Sequence, residues 1–275
     1  MFAGPGVAGA IRNQFNQVTN TVDSGTDGDS FMSAEEKAYR EAMKTITAKE
    51  AKDWTLDEQK AAATDIAKNG TSSVVYAKAK AAMDAGTKFT MKLTNGRTLQ
   101  YRIVGINHDD LADGSGKAGL TFLATSTGIQ SRMNATDTNA GGWENSELRQ
   151  KMNSGEIWNL MPGDFQSMVK SVTKMTDNKG GGSAGTPSAT TDKVFLLSST
   201  EVYGDLQSDG TQYEYYQSKG VTKSNYSGAS LGIKHWTRSV TSNTSTGFCA
   251  LRSDGAWYSS YASSSGQYVF PAWCF

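Results

Sequence analysis

The spacing of apolar residues divides the chain near residue 86. Before that point apolar positions recur at helical spacing within Ala/Glu/Lys-rich segments. Capping boxes that begin at Ser33 and Thr55 predict two helices, ending near residues 52 and 70. A third helix is predicted over 73–85. These helices carry few large apolar side chains, so we expect them to pack on the main domain or on other copies of the chain.

After residue 86 apolar and polar residues alternate, which is typical of strands. Residues 89–93 and 99–104 flank Asn95-Gly96, and this dipeptide predicts a tight hairpin because both residues tolerate positive φ. A third strand is predicted over 120–124, after a loop rich in Gly and Asp.

The remainder of the chain predicts helices followed by further strands. Helices are predicted over 144–153 and over 165–172, where apolar residues recur at helical spacing. A glycine run predicts a mobile loop over 180–191, and the apolar run 193–197 predicts a strand in the centre of a sheet. The apolar segment 269–275 predicts a buried terminal strand. Helices inserted into a mostly antiparallel sheet make an α+β domain.

Composition suggests three parts. Residues 1–32 are rich in Gly, Asn, Thr and Asp and predict a flexible or assembly arm, with a weakly amphipathic stretch over 10–22. A helical region, 33–86, precedes the main domain, 87–275. The apolar run near the start is short and lacks a preceding basic region, so we expect no signal peptide. No apolar stretch is long enough to predict membrane insertion.

Charge and cysteine content narrow the classes of partner. Lys+Arg and Asp+Glu are both 27, so a net charge of +0 gives no general attraction to nucleic acid or anionic lipid. We therefore expect neither as a partner. Two cysteines, Cys249 and Cys274, are too few for a disulfide framework. They could form one bridge or stay as buried thiols.

Candidate catalytic and metal-binding residues are few. His108 lies in a polar turn for which we expect a solvated loop, and His235 is expected to serve as a structural hydrogen-bonding group. Neither cysteine has a third group spaced to orient a histidine base. The acidic loops 109–114 and 205–214 lack the alternating carboxylates of a calcium loop. We expect no enzyme activity, no cofactor and no bound metal.

The composition changes sharply in the last forty residues. Residues 235–275 contain no Lys and no Glu, and their only charged residues are Arg238, Arg252 and Asp254. Ser, Thr, Tyr, Asn, Gly and Ala fill most of the rest, a mixture typical of antibody-like binding surfaces. Large apolar residues punctuate this segment and predict a buried frame formed by Trp236, Phe248, Leu251, Val269, Pro271 and Trp273.

Four motifs in order carry a family resemblance: WENSELR at 143–149, DKVFLLS at 192–198, WTRS at 236–239 and PAWCF at 271–275. The stretch 89–275 resembles a C-type-lectin-like domain of bacteria and their phages. That family is similar to the variable proteins of diversity-generating retroelements, such as phage tropism determinants. The resemblance implies a C-type-lectin-like fold and a variable-type surface over 237–270.

The resemblance also implies diversification of the gene. In retroelement-diversified proteins, reverse transcription randomises adenines, often at AAC or AAT codons. From AAC such changes reach Tyr, Ser, Thr, Ala, Asp and Arg, but not Lys, Glu, Gln, Met or Trp. The local absence of Lys, Glu and Met agrees with this history. Trp257 and Gln267 do not fit it.

The resulting expectation is a receptor-binding protein of a phage tail, located in the virion or on an extracellular surface. Its partners would be a host cell-surface protein or glycan, virion tail proteins bound through the N-terminal arm, and two further copies in a homotrimer. A fixed-specificity bacterial surface adhesin or lectin and a structural virion protein are the alternatives. The predicted ligand-binding residues are Thr241, Asn243, Thr244, Ser245, Ala250, Arg252, Trp257, Tyr258, Ser260, Tyr261, Ser263, Ser264 and Tyr268.

Overall fold

The computed structural model describes residues 32–275. The N-terminal arm predicted over 1–32, with its amphipathic stretch at 10–22, therefore lies outside the described residues except for its last position. In the described part the chain forms a mixed α+β structure in which helices pack against antiparallel sheets. The α+β class predicted from the sequence is confirmed at this level.

Three helices begin the described chain: α1 (Ala34–Ala48), α2 (Leu56–Asn69) and α3 (Tyr76–Ala85). The Thr55 side chain and Glu58 form a reciprocal capping box at the start of α2. Gly86 ends α3 in the left-handed conformation, with φ of 64°, which glycine adopts without a steric penalty. The three predicted helices are thus confirmed, although α1 ends before residue 52 and α3 begins later than residue 73.

A five-stranded antiparallel sheet forms the centre of the domain. Its strands are β1 (Phe89–Lys92), β2 (Thr98–Ile106), β3 (Leu120–Ser126), β6 (Val194–Phe195) and β10 (Ala272–Cys274), in the order β1-β2-β3-β10-β6. The last strand of the chain therefore lies inside the sheet, with a neighbour on each side. Trp273 of β10 is fully buried, and its ring lies 4.9 Å from that of Tyr101. The prediction of a buried terminal strand is confirmed.

The hairpin between β1 and β2 is confirmed, but its turn differs from the predicted one. Leu93 pairs with Arg97 across a three-residue loop, its N–H donating to the Arg97 carbonyl at 2.8 Å. Within this three-residue loop only Gly96 has a positive φ, 82°. A three-residue loop that ends in a left-handed glycine needs one such residue, whereas a two-residue type I′ turn needs two.

The apolar run 193–197 was predicted to be central, and that prediction is wrong. Only two of its residues form a strand, β6, which lies at the edge of the sheet. This edge strand is nevertheless buried, and Asn153 supplies hydrogen bonds to its backbone groups. The Asn153 side-chain amide donates to the Val194 carbonyl at 2.8 Å, and its carbonyl oxygen accepts from Lys193 N–H at 2.8 Å. An edge strand that is covered in this way has the same continuous apolar sequence as a central strand.

Two helix predictions need correction. The first, α4 (Glu147–Asn153), begins after residue 144 because Ser146 caps it, accepting from the Arg149 N–H at 3.1 Å. The second, α5 (Gly163–Met168), ends before residue 172. Val172 instead opens a strand and pairs with Asp192. The apolar residues at helical spacing therefore belong to a helix and to the strand that follows it.

Strands β4 (Val172–Thr176) and β5 (Ser188–Asp192) form a separate hairpin. The loop predicted to extend to residue 191 thus ends where β5 begins. The Asp177 carboxylate closes this loop, accepting from Lys179 N–H at 3.0 Å and from Gly185 N–H at 2.7 Å.

The helical region packs directly on the central sheet. Tyr101 of β2 donates to the side chain of Gln59 in α2 at 3.0 Å. The backbone of α2 comes so close to Gly119 that a Cβ there would lie 1.7 Å from the Ala63 carbonyl oxygen. Glycine is therefore required at residue 119 by this approach. Of the two packing partners expected for the helices, the main domain is the one observed within this chain.

Two short helices, α6 (Ser199–Tyr203) and α7 (Glu214–Ser218), lead into the final part of the domain. A three-stranded antiparallel sheet follows, formed by β7 (His235–Val240), β8 (Gly247–Leu251) and β9 (Trp257–Tyr261). Among the helices of the described chain, none has the length and apolar character that crossing a membrane requires.

Candidate functional site

The three-stranded sheet fixes which C-terminal side chains share a face. In its register Leu251 pairs with Trp257, and Gly247 pairs with Tyr261. Ala250 pairs with Tyr258, one residue out of phase with those two pairs. Cross-strand partners lie on the same face of a sheet. Trp257 and Tyr261 therefore lie on one face of β9, and Tyr258 lies on the other.

The predicted frame beneath this sheet is buried. Trp236 donates its indole N–H to the Ser131 carbonyl at 2.8 Å, and its ring packs edge-on against Phe248 at 6.5 Å. The six predicted frame residues are all buried: Trp236, Phe248, Leu251, Val269, Pro271 and Trp273. Strands held in this way present their remaining side chains in a fixed arrangement.

Ten of the predicted ligand-binding residues are accessible to solvent. Tyr261 is 63% exposed, the most accessible large side chain of this segment. The other exposed residues are Asn243, Ser245 and Arg252. The half-buried ones are Thr244, Trp257, Tyr258, Ser263, Ser264 and Tyr268.

Three of the predicted residues are buried, and their assignment to the surface is wrong. Ala250 lies in β8, the middle strand of the sheet, and is fully buried. The Ser260 hydroxyl accepts from the Gln267 amide at 2.9 Å, and the Thr241 hydroxyl lies 3.0 Å from that of Ser259. These small residues fill space between strands and neighbouring segments. Their polar character alone did not indicate which face they occupy.

One buried asparagine, Asn139, holds the loop between β7 and β8. Its amide nitrogen donates to the carbonyls of Thr244 at 2.9 Å and Gly247 at 2.8 Å. Its carbonyl oxygen accepts from Gly181 N–H at 2.8 Å. The exposed residues of this loop are therefore presented on an anchored backbone. No sequence pattern distinguished Asn139 as a functional residue.

The segment after β9 lies beside this loop. Ala262 N–H donates to the Thr246 carbonyl at 2.9 Å, which joins the two segments. Ser263 N–H donates to the Asp137 carboxylate at 3.0 Å, and the hydrogen bonds from Ser263 lower the pKa of that carboxyl. We call the surface formed here the loop-end surface, and its residues are Asn243, Thr244, Ser245, Tyr261, Ser263 and Ser264.

A second group lies at the opposite end of β9. The Arg252 guanidinium is 5.6 Å from the centre of the Tyr258 ring, and the Lys223 ammonium is 5.6 Å from that of Trp257. The buried Gln267 amide donates to the Tyr258 hydroxyl at 2.5 Å. Nine of the ten accessible predicted residues thus fall into two clusters separated by the length of the strand, and the tenth, Tyr268, forms bridges with Gln130 and His235.

A cluster of buried charged residues lies inside the domain, and no sequence pattern predicted it. Lys174 contacts the carboxylates of Asp109 at 2.5 Å and Glu201 at 2.6 Å. Arg238 contacts Glu201 at 2.5 Å. We call these four residues, all less than 5% exposed, the interior cluster. Burial raises the pKa of both carboxyls, but the cations outweigh burial and lower the two pKa values below their usual range.

His108 was expected in a solvated loop, and that expectation is wrong. Its side chain is only 9% exposed, and its ring lies 4.1 Å from that of Tyr213. Burial lowers the pKa of His108, but the Glu214 carboxylate, 3.1 Å from Nδ1, and nearby acids outweigh burial and raise it. The neighbouring Asp109 belongs to the interior cluster, so these two residues face inward, whereas Asp110 is exposed.

His235 is buried, and its Nδ1 lies 2.9 Å from the Ile233 carbonyl oxygen. This contact matches the structural role expected for it. Burial lowers the pKa of His235 to about 4. A histidine with such a pKa is neutral at physiological pH.

The two cysteines and Asp209 are the remaining candidates for catalysis or metal binding. Cys249 and Cys274 are free and buried, and burial raises the pKa of the Cys249 thiol to about 12. The Asp209 carboxylate accepts from the hydroxyls of Thr200 and Ser239 at 2.9 and 2.6 Å. Over residues 32–275, no group of three or more His, Cys, Asp or Glu side chains is arranged to hold a metal ion.

A cavity of about 350 Å³ lies in the helical region. It is lined by residues of α1 and α2, including Tyr39, Met43 and Asp65, and by the exposed Val74. None of its lining residues belongs to the C-terminal strands. It is therefore a feature of the helical region and separate from the surface described above.

The C-terminal part of the chain is similar to a known protein family. Residues 118–275 match the family DUF6273, described as a domain of unknown function. No curated protein matches the chain, and no solved structure matches it. The matched region covers more than half of the 275 residues and includes every strand from β3 to the C terminus. The chain therefore belongs to the DUF6273 family.

Proposed function

We propose that this chain is a receptor-binding protein whose C-terminal domain has a C-type-lectin-like fold and recognises its ligand through the loop-end surface. The observation that carries the proposal is Tyr261, 63% exposed beside the exposed polar residues Asn243 and Ser245. Tyrosine offers a large contact area with little conformational entropy to lose, and Ser and Asn adapt their hydrogen bonds to a partner.

The hydrogen bonds that hold this surface in place support a role in ligand recognition and argue against a loop that only connects two strands. Asn139 anchors one of its two segments, and the bond between Ala262 and Thr246 joins it to the other. A preorganised surface loses less entropy when it binds. A lectin-like fold is supported by two features: antiparallel strands divided between separate sheets, and a last strand in the middle of one of them.

The proposed biological setting is a phage tail or an extracellular surface, with a host cell-surface protein or glycan as the ligand. The N-terminal arm would attach the protein to other virion components, and three copies would multiply weak contacts into avidity. Light scattering on the full chain tests this assembly, because a monomer at micromolar concentration contradicts the trimer.

Diversification by a retroelement is the finer part of the proposal. Its support is the absence of Lys, Glu and Met over 235–275, since adenine changes in AAC codons do not reach these residues. The gene provides the test. An adenine-rich template copy beside a reverse transcriptase gene supports diversification, and a gene with neither of these removes it.

The recognition claim is tested by labelling the full chain and measuring its binding to a panel of intact bacterial cells by flow cytometry. We expect Tyr261→Ala to weaken binding about tenfold or more, the size of effect typical of a central aromatic contact. Tyr226→Ala is the matched control, since Tyr226 is also an exposed tyrosine but lies outside 237–270.

Both variants are first compared with the wild type by circular dichroism and thermal unfolding. Equal binding by wild type and Tyr261→Ala contradicts the proposed surface. If the wild type binds no cells and Tyr261→Ala changes its sedimentation, the surface is an assembly contact and the recognition proposal fails.

A further inference from the structure

Charge is distributed unevenly in this neutral chain. Residues 219–275 contain five cations, Lys219, Lys223, Lys234, Arg238 and Arg252, against the single carboxylate of Asp254. Arg238 is buried against Glu201, which leaves four cations near the surface of this segment. A local excess of one sign raises the concentration of oppositely charged ligands nearby.

Within the described residues none of these four cations forms an ion pair, although the Lys219 ammonium donates to the Asp84 backbone carbonyl at 2.9 Å. Lys223, Lys234 and Arg252 are exposed, and no ion pair within the described part of the chain involves them. Two nearby carboxylates are engaged with backbone instead. Asp254 accepts from Ala256 N–H at 3.0 Å, and Asp205 accepts from Lys223 N–H at 2.9 Å.

The sheet register places two of these cations at the same end of the sheet. His235 pairs with Leu251, and Lys234 and Arg252 each lie next to that pair, one residue outside β7 and β8. An anion bound at this end of the sheet would be attracted by both charges.

Aromatic side chains beside the cations supply the rest of a binding surface. Trp257 and Tyr258 open β9 on its opposite faces, and each ring lies 5.6 Å from a cationic group. The Tyr258 hydroxyl accepts from the Gln267 amide, so its own proton is free to donate to a ligand oxygen. A polymer that crosses this end of the sheet can therefore contact a half-buried aromatic ring and a cation on each face.

We propose that this second surface binds an anionic glycan, a sugar polymer that carries carboxylate or phosphate groups. We call it the cationic edge, and its residues are Lys223, Lys234, Arg252, Trp257 and Tyr258. Arg252 would pair with the acidic group, since guanidinium matches the geometry of carboxylate and phosphate. The indole of Trp257 would pack against the face of a sugar ring. The inference rests on the proposed recognition function and names the chemistry of its ligand.

Two defined polymers test whether this surface binds anionic groups and distinguish binding of carboxylate from binding of phosphate. Polygalacturonate presents carboxylates, phosphorylated dextran presents phosphates, and dextran is the neutral control. Each is immobilised, and binding of the full chain is followed by biolayer interferometry at low and high ionic strength. We expect one or both polyanions to bind above dextran at low ionic strength and to lose that binding at high ionic strength.

The variant Lys223→Gln/Arg252→Gln is expected to weaken polyanion binding about tenfold. Lys193→Gln is its matched control, because the Lys193 ammonium also lies over an indole, 5.2 Å from the Trp158 ring, outside the cationic edge. This control is expected to bind as the wild type does.

Two results overturn the inference: neither polyanion binding above dextran, or the double variant binding as tightly as the wild type. Either result leaves the proposed function standing if Tyr261→Ala still weakens binding to cells. Failure in both assays removes the proposed function as well. Binding to only one polyanion supports the inference and identifies carboxylate or phosphate as the recognised group.

Discussion

Lys174 and Arg238, in the interior, each contact a carboxylate within 2.6 Å. Lys223 and Arg252, at the surface, lie beside aromatic rings and take part in no ion pair within residues 32–275. The interior cations are almost fully buried, and the surface ones are exposed. A buried charge without a partner is very costly, so the interior cluster holds its members in one arrangement. An exposed cation without a partner costs little and remains available to a ligand. The chain thus pairs its buried cations with acids and leaves Lys223 and Arg252 exposed without an ion pair.

The largest effect expected from this comparison is on the interior cluster. Glu201→Gln removes the negative charge between Lys174 and Arg238, and we expect it to lower the free energy of unfolding by about 3–5 kcal/mol. Chemical denaturation measures the change. Glu156→Gln is the control, because Glu156 is 70% exposed and 3.3 Å from Lys151, so its loss should cost less than about 1 kcal/mol. Equal effects of the two substitutions would contradict the account of the interior cluster.

The second prediction concerns acid stability. Burial lowers the pKa of His235 from 6.5 to about 4, so between these values the unfolded chain binds a proton that the folded chain does not. The free energy of unfolding should therefore fall as pH decreases through this window, by about 3 kcal/mol. His235→Leu should flatten that part of the profile.

His108 provides the opposite case for the same measurement. Its pKa is raised, so its contribution to stability is present below 6.5 and is lost as pH rises through the raised value. His108→Gln should therefore remove stability mainly on the acid side. Denaturation at a series of pH values separates the two histidines, and an unchanged profile in His235→Leu would show that another group controls the acid transition.

The third prediction concerns the anchor of the loop-end surface. Asn139→Ala removes hydrogen bonds to the carbonyls of Thr244 and Gly247, and we expect a loss of about 2 kcal/mol with faster amide exchange over residues 241–247. Asn225→Ala removes an exposed amide–carbonyl bond to Gly220 and should change neither quantity appreciably. Hydrogen-exchange mass spectrometry measures both variants. Unchanged exchange in Asn139→Ala would mean that the loop is held by other contacts.

The smallest effect is expected at the exposed residues themselves. Ser245→Ala and Tyr261→Ala should change the free energy of unfolding by less than about 0.5 kcal/mol, because neither side chain packs in the core. Thermal unfolding measures this directly. A cost of several kcal/mol for Tyr261→Ala would assign that tyrosine to the fold and not to a ligand.

Part of this architecture could be predicted from the sequence because it depends on local signals. The glycine at residue 96 marks the first hairpin, and the apolar run around Trp273 marks the terminal strand. Val172 was misassigned because its spacing from the apolar residues of α5 is helical, while its actual partner, Asp192, lies twenty residues further along the chain. Periodicity alone does not distinguish one helix from a helix followed by a strand.

Composition predicted the accessibility of most candidate site residues, but it did not predict which face of the sheet each one occupies. Ten of the thirteen residues proposed within 237–270 are accessible, whereas Ala250 and Ser260 are buried because of the strand register. The interior cluster was missed for a similar reason. Asp109 and Lys174 meet only in the folded chain, and a charged residue in a polar turn gives no sign of burial.

The most direct test of the recognition surface is hydroxyl-radical footprinting of the full chain, free and bound to the cells that give the strongest binding signal. In the free protein, Tyr261 should be oxidised rapidly and the buried Trp236 slowly. On cell binding, oxidation of Tyr261 should fall while that of Tyr226 stays the same. Equal oxidation of Tyr261 in the free and bound protein would contradict the claim that this surface contacts the ligand.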